Sequence, residues 1–297
     1  MAKFNRSILI TDLDDTLWSW VQIWHASFYA TLQELTKILS IPEEELIPKI
    51  KKIHEKAKTS EYTFLVYDLE EMITGISDVD TVRTKYQRVF DIQDHIRSSS
   101  VSPFPDVVRA LEKIKSKGTK IIGYTESMAY SAMDKMKLCG LDGIIDILYS
   151  REDHEIPESL NLDKYRSRPH TSYLLEFTKH NTLPTESTKP DPITLLRIIN
   201  DVGAKITDCV YVGDKLLKDV KMAQDAGVLD LYAKYGNNLG TPEYDLLKKV
   251  TNWNSEAVDN EAKTDINDIA PTVTLESNFS EIFSFIQFSK FNAEVIS

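Results

Sequence analysis

An α/β fold is predicted, with a doubly wound parallel sheet as the main body and a smaller α-helical domain inserted after the first strand. Three observations predict it. From about residue 104 onward short apolar runs alternate with helical periods, the block between residues 20 and 90 has helical periodicity alone, and polar or acidic residues follow directly on the apolar runs. At 297 residues the chain is long enough for one α/β core and a second, smaller unit. Hydrophobic residues at 42% and charged residues at 27% are near globular averages, so a proper core can form and no fibrous or disordered class is indicated.

The elements follow in order. Residues 7–11 (SILIT) are a short β-branched run ending at an acidic loop, as a buried parallel strand reads. Next come Ile23, Trp24, Phe28, Leu35 and Ile38, then Leu46, Ile50 and Ile53, then Leu65, Leu69 and Met72, then Val79, Val82, Tyr86 and Val89. These spacings predict about four helices and no strand. Residues 98–105 (SSSVSPFP) predict an extended connector, which puts hinges near 19 and 100. The expected division is therefore a core of residues 1–18 and 104–297 and a helical domain of residues 19–103.

Beyond the connector the βα alternation predicts a helix over 106–117 closed by Gly118, a strand at 120–124, a helix over 127–138 before Gly140, and a strand at 144–148. Residues 152–188 are polar and irregular, with Pro157, Pro169 and Pro184, and only 172–179 reads as helical, so the segment is taken as an insertion. Asp191 and Pro192 supply an N-cap and first-turn proline for a helix running to Gly203, followed by strands at 209–212 and 229–232. The tail holds an acidic stretch at 254–268, a strand at 272–275 and an apolar helix at 279–288.

A net charge of -11 argues against a groove that tracks nucleic-acid phosphates, so a small anionic ligand would need a local positive site. No stretch approaches the length of a membrane span, and the N-terminus turns acidic before any signal-peptide core, so a cytoplasmic protein is expected. Cys139 and Cys209 share no metal-ligand spacing and lie in apolar surroundings, as buried reduced thiols do. The His residues form no paired ligand spacing, and Trp18, Trp20 and Trp24 are read as packing residues.

In doubly wound sheets ligands bind at the carboxyl ends of strands. Those positions hold Asp12 and Asp14 after the first strand, Thr125 after the second, and Asp214 and Asp219 after the strand at 209–212, with Lys189 just before a helix start. Carboxylates converging on one edge repel and require a cation, and hard oxygen ligands at that density suit Mg²⁺. Such a metal and Lys189 would together neutralise a bound phosphate. Asp12 is positioned as a carboxylate nucleophile that splits ester hydrolysis into two steps through an aspartyl-phosphate. Asp14, two residues on, could protonate the leaving oxygen and then activate water. Asp15 is read as a turn residue, its side chain pointing away from its neighbours. Glu126, beside Thr125, is grouped with the substrate-binding residues or acts only as a first-turn acid.

These residues, as spaced here, resemble the haloacid dehalogenase-like superfamily of phosphatases. The likeness rests on DLDDT at residues 12–16, the strand-end Thr of IIGYT at Thr125, the KP at Lys189 and Pro190, and GDKLLKD at residues 213–219, in the family's order. It implies a Rossmann-like core, Asp12 as nucleophile, Asp14 as general acid/base and backbone metal ligand, Thr125 and Lys189 as phosphate binders, and Asp214 as a metal carboxylate. Asp219 would ligate the metal or orient Lys189. The helical block falls where one class of the family carries a mobile cap, and 152–188 where a second class does. The activity implied is Mg²⁺-dependent hydrolysis of a small phosphate monoester. A phosphonatase, for which Lys49, Lys51, Lys52 or Lys56 would supply the cap lysine, or a phosphomutase are alternatives on the same scaffold. A non-catalytic phosphoacceptor or binding protein is the alternative of a different class.

Overall fold

The protein is described by a computed structural model covering residues 3–153, 169–253 and 268–292. Its centre is a seven-stranded sheet, every adjacent pair parallel, in the order β5-β4-β3-β2-β6-β7-β8. The strands are β2 (Ile8–Thr11), β3 (Lys120–Met128), β4 (Ile147–Arg151), β5 (Lys179–Leu183), β6 (Cys209–Gly213), β7 (Leu229–Ala233) and β8 (Val273–Leu275). The chain starts at the centre, winds outward through β3 to β5, then returns beside β2 and winds the other way. The α/β doubly wound prediction therefore holds, and the order reverses at β2. Period-two alternation puts Leu9 into the apolar layer on one face and Ile8 and Ile10 into the layer on the other. Cys139 belongs to the first layer and Cys209 to the second, both buried free thiols.

Residues 20–100 form five helices where about four were expected: α1 (Trp20–Leu39), α2 (Glu43–Ala57), α3 (Leu65–Thr74), α4 (Val79–Lys85) and α5 (Gln87–Ser100). The last expected helix is two, because the chain breaks at Tyr86, whose φ of -107° and ψ of 17° leave the helical region. The extended connector is correspondingly shorter, since Ser98 to Ser100 still belong to α5. Val21, Phe28, Leu35, Leu46, Ile50 and Val89 share one apolar cluster, and full burial of each is worth about 1.5–3 kcal/mol in transfer free energy.

That cluster is completed from far along the chain. Tyr244, Leu246, Leu247 and Val250 of the helix Pro242–Val250 join it, and buried His54 of α2 donates from Nδ1 to the Val250 carbonyl at 2.8 Å. Burial lowers the His54 pKa to about 4, so the ring is neutral at physiological pH. Among the described residues no helix is long and apolar enough to cross a membrane.

Several sequence boundaries are corrected. The segment 152–188 is more than an irregular insertion: its described part holds a single 3₁₀ turn at His170–Tyr173 and then β5, where a helix was expected over 172–179. β5 reads as polar because it is an edge strand with one neighbour and one solvated face. The strand expected at 144–148 begins at Ile147, since the Ile144 and Ile145 amides close a turn onto the Leu141 carbonyl. The apolar helix expected over 279–288 is a 3₁₀ turn, one helical turn (Ile282–Phe285) and then β9 (Ile286–Phe288), which pairs in parallel with β1 (Phe4–Arg6). Short apolar runs do not distinguish strand from helix by periodicity alone. The acidic stretch 254–268 lies outside the described residues except for Asp268.

Candidate active site

The site is built where β2, β3 and β6 end. Thr11 is in register with Gly123 and Val212, so Asp12, Tyr124 and Gly213 lie level, and the Asp12 amide donates to the Val212 carbonyl at 2.8 Å. Gly213 is required there: a Cβ would stand 2.3 Å from Asp219 Cγ. Asp219 itself sits on a π-helical turn, Leu216–Val220, a wide turn common at functional sites.

Three buried carboxylates converge, with one oxygen each from Asp12, Asp214 and Asp219 within 4.8 Å of one another. Lys189 Nζ lies between two of them, donating to Asp12 Oδ1 at 2.5 Å and to Asp219 Oδ1 at 2.9 Å. The rings of Tyr124 and Tyr211 flank the ammonium at 4.9 and 5.5 Å. Burial opposes its charge, but Asp12 and Asp219 hold its pKa well above the ordinary lysine value. Burial, with Asp219 and Asp214 adding repulsion, drives the Asp12 pKa well above the usual carboxylate range against the pull of Lys189. Asp219 is engaged through both oxygens: Oδ1 also accepts from Tyr211 Oη at 2.8 Å and Oδ2 from the Lys215 amide at 3.1 Å. Lys215 Nζ pairs with Asp214 Oδ2 at 3.4 Å.

The Asp14 side chain is not part of the triad. Its Oδ1 accepts from Lys135 Nζ at 2.7 Å and Trp18 Nε1 at 2.6 Å, and Oδ2 accepts from the Ser127 hydroxyl. Lys135, on the helix Ala129–Leu138, is fully buried and also reaches Glu61 at 3.3 Å, in the connection between α2 and α3. Neither Lys135, Ser127 nor Glu61 was picked out from the sequence. The spacing of Ser131 and Lys135, one turn apart just past a strand end, was the available signal; both hold Glu61. Trp18 does more than pack, because its indole N–H fixes Asp14.

Ser127 also departs from its expected start of a helix. β3 stays extended to Met128, and its register with β4 shifts between Tyr124 and Met128. This irregularity turns the residues around Thr125 toward the site. Thr125 is buried and its hydroxyl accepts from the Ser127 amide at 3.1 Å. Glu126 accepts from the Lys189 amide at 3.0 Å and from Lys218 Nζ at 2.6 Å, so its carboxylate holds the Lys189 loop. Asp15, with φ of 59°, is buried and accepts from the Val21 amide at 3.2 Å, capping the start of α1. Burial raises its pKa to about 7.

These groups open into a cavity of about 510 Å³. Its floor includes Asp12, Asp14, Thr125 and Lys189; its other walls include Trp20, Lys58, Glu61, Tyr244 and Trp253. Of the lysines considered for an imine, none of Lys49, Lys51, Lys52 and Lys56 lines it, whereas Lys58 does.

Residues 7–227 match the family model described as haloacid dehalogenase-like hydrolase. The chain belongs to the haloacid dehalogenase-like hydrolases. Among curated proteins it is similar to a glyceraldehyde 3-phosphate phosphatase of Methanocaldococcus jannaschii, 24% identical over 224 residues, covering 74% of this chain and 82% of that protein. Among solved structures it is similar to a 2-haloacid dehalogenase from Pseudomonas syringae (TM-score 0.50, 17% identity, 94% of this chain and 97% of the other). A "predicted phosphoglycolate phosphatase" from Haemophilus somnus is equally similar (TM-score 0.50, 16% identity, 96% and 98%). These structural likenesses carry the fold of a haloacid dehalogenase-like hydrolase. The chain is a hydrolase of that family.

Proposed function

We propose that the chain is a Mg²⁺-dependent phosphatase that hydrolyses a small phosphate monoester through an aspartyl-phosphate on Asp12. The observation that carries the reading is the cluster of Asp12, Asp214 and Asp219 with Lys189 set into it. The donor set fits a hard divalent cation: all are carboxylate oxygens, and Lys189 and Lys215 alone offset only part of their charge. Asp12 and Asp214 would hold Mg²⁺, with the Asp14 backbone carbonyl as the family resemblance implies. Asp219, with both oxygens engaged by Lys189, Tyr211 and the Lys215 amide, orients Lys189. When bound, the metal supplies charge neutralisation that lets an anionic nucleophile approach an anionic phosphate.

The chain's own groups then carry the steps. An Asp12 carboxylate oxygen bonds to phosphorus as the ester oxygen departs, and protonated Asp14 gives that oxygen its proton. Asp14, now a carboxylate, takes a proton from water as the water oxygen attacks phosphorus and the bond to Asp12 breaks. Lys189 and Thr125 bind the phosphoryl oxygens. Residues 19–103 act as the cap that closes over this floor, and the Glu61–Lys135–Asp14 contacts join the two. Glyceraldehyde 3-phosphate, named for the archaeal relative, is the first substrate to test. The buried free thiols accord with a cytoplasmic setting.

The test is phosphate release from p-nitrophenyl phosphate with and without Mg²⁺, for the wild type and Asp12→Asn. The variant should lose roughly 10⁴-fold in rate or more while keeping its circular dichroism, in line with removal of a covalent nucleophile. Wild-type turnover by Asp12→Asn, or turnover indifferent to Mg²⁺, would sink the mechanism.

A further inference from the structure

Most cations that line the cavity are already paired. Lys189 is held by Asp12 and Asp219, Lys215 by Asp214, Lys218 by Glu126, and Lys135 by Asp14 and Glu61. Arg151 is different. It ends β4, next to the irregular stretch of β3 that carries Thr125, and it lines the same cavity as Asp12. Among the described residues its guanidinium donates to no acceptor, and its Nε is closed off from solvent without a partner. Glu126 and Glu186 lie within electrostatic reach, yet the Glu126 oxygens already accept from the Lys189 amide and Lys218. Burial pulls the Arg151 pKa below the ordinary arginine value in spite of both acids.

A half-buried guanidinium with unfilled donors costs free energy that an anion in the cavity would offset. Its planar fork matches a carboxylate or a phosphate through paired hydrogen bonds. Lys58, at the C-terminal end of α2, faces the same space from the helical block. The cavity, at about 510 Å³, has room for more than one phosphate and a short chain.

We infer that this site takes a phosphate monoester carrying a second anionic group, a carboxylate or another phosphate, and that Arg151 receives that second group. The inference rests on the phosphatase reading above and narrows it to a substrate class. Arg151 is thereby a specificity residue.

Two matched pairs test it: phosphoglycerate against glycerol phosphate, and a hexose bisphosphate against the corresponding hexose monophosphate. In the wild type, at least one doubly anionic member should exceed its partner in kcat/KM by about tenfold or more, and which pair does so identifies carboxylate or phosphate. Arg151→Met should collapse that ratio about tenfold through KM, and Arg151→Lys should restore part of it. A general loss of folding lowers both members and leaves the ratio intact. Ratios near one in the wild type for both pairs, or a ratio that survives Arg151→Met, overturn the inference while p-nitrophenyl phosphate hydrolysis keeps the phosphatase reading. Failure to hydrolyse any of these esters, p-nitrophenyl phosphate included, overturns both.

Discussion

At the sheet edge Asp12, Lys189 and Asp219 are buried, and Lys189 and Asp219 each have two or more charged or hydrogen-bonded partners. Across the cavity the helical block offers Lys58, exposed at a helix end, and Trp20, which touches Trp24 and Trp253 through tilted ring contacts at 6.4 and 6.3 Å. A group held by several partners inside low dielectric cannot be changed singly without leaving another charge uncompensated. A ring or an ammonium at a helix end can. The difference separates two kinds of group in one cavity: over-determined charges suit chemistry common to many esters, and loosely held groups, on the helical block or at the end of β4, suit recognition.

The contrast can be broken most directly at the floor. Lys189→Met leaves Asp12 and Asp219 facing each other without their shared cation, so kcat should fall roughly 10²–10³-fold, the scale for losing one preorganised electrostatic donor. The protein should also lose stability, read as a lower urea midpoint, because the partners of a buried pair are left unpaired. If kcat were within a few-fold of wild type on folded protein, the floor would be less tightly determined than its geometry implies.

The next effect belongs to the helical block. His54 is buried and neutral in the folded state with a pKa of about 4, whereas in the unfolded chain it titrates near 6.5. Below pH 6.5 the unfolded chain takes up a proton that the folded one refuses, so stability falls as pH drops from about 6.5 to about 4 and is retained above that window. The loss should reach about 3 kcal/mol at the lower end. Urea midpoints across that range should decline less steeply in His54→Gln than in the wild type; parallel curves would mean that the ring protonates freely in the folded protein.

The smallest expected effect lies at the junction. Lys135 touches Asp14 of the sheet edge and Glu61 of the helical block, so Lys135→Met should loosen the orientation of Asp14 and cost about tenfold in kcat on alkyl esters. The loss should shrink toward unity for p-nitrophenyl phosphate, whose leaving group needs no proton. Equal losses on both would reduce Lys135 to a packing role.

Asp12, Thr125, Lys189 and Asp214 could be read from one dimension because the signals that set them out are local. A β-branched run ends, and the next polar residue stands at the carboxyl edge of the sheet; Asp191 and Pro192 start a helix, and Lys189 stands just before it. β5 was hidden because an edge strand lacks the apolar signature of a central one, and β9 because its apolar run fits a helix equally well. The environment of Asp14 depended on groups 113 and 121 positions away, and the apolar core of residues 20–100 on the helix Pro242–Val250. By itself, then, the sequence determined the doubly wound sheet and the order of reactive groups along its edge, since turn and strand preferences act over a few residues. Only the tertiary structure decided what holds Asp14, what closes the far wall and why Arg151, among the described residues, is left with donors to spare, because partners so distant along the chain are chosen by packing and charge, which no local pattern records.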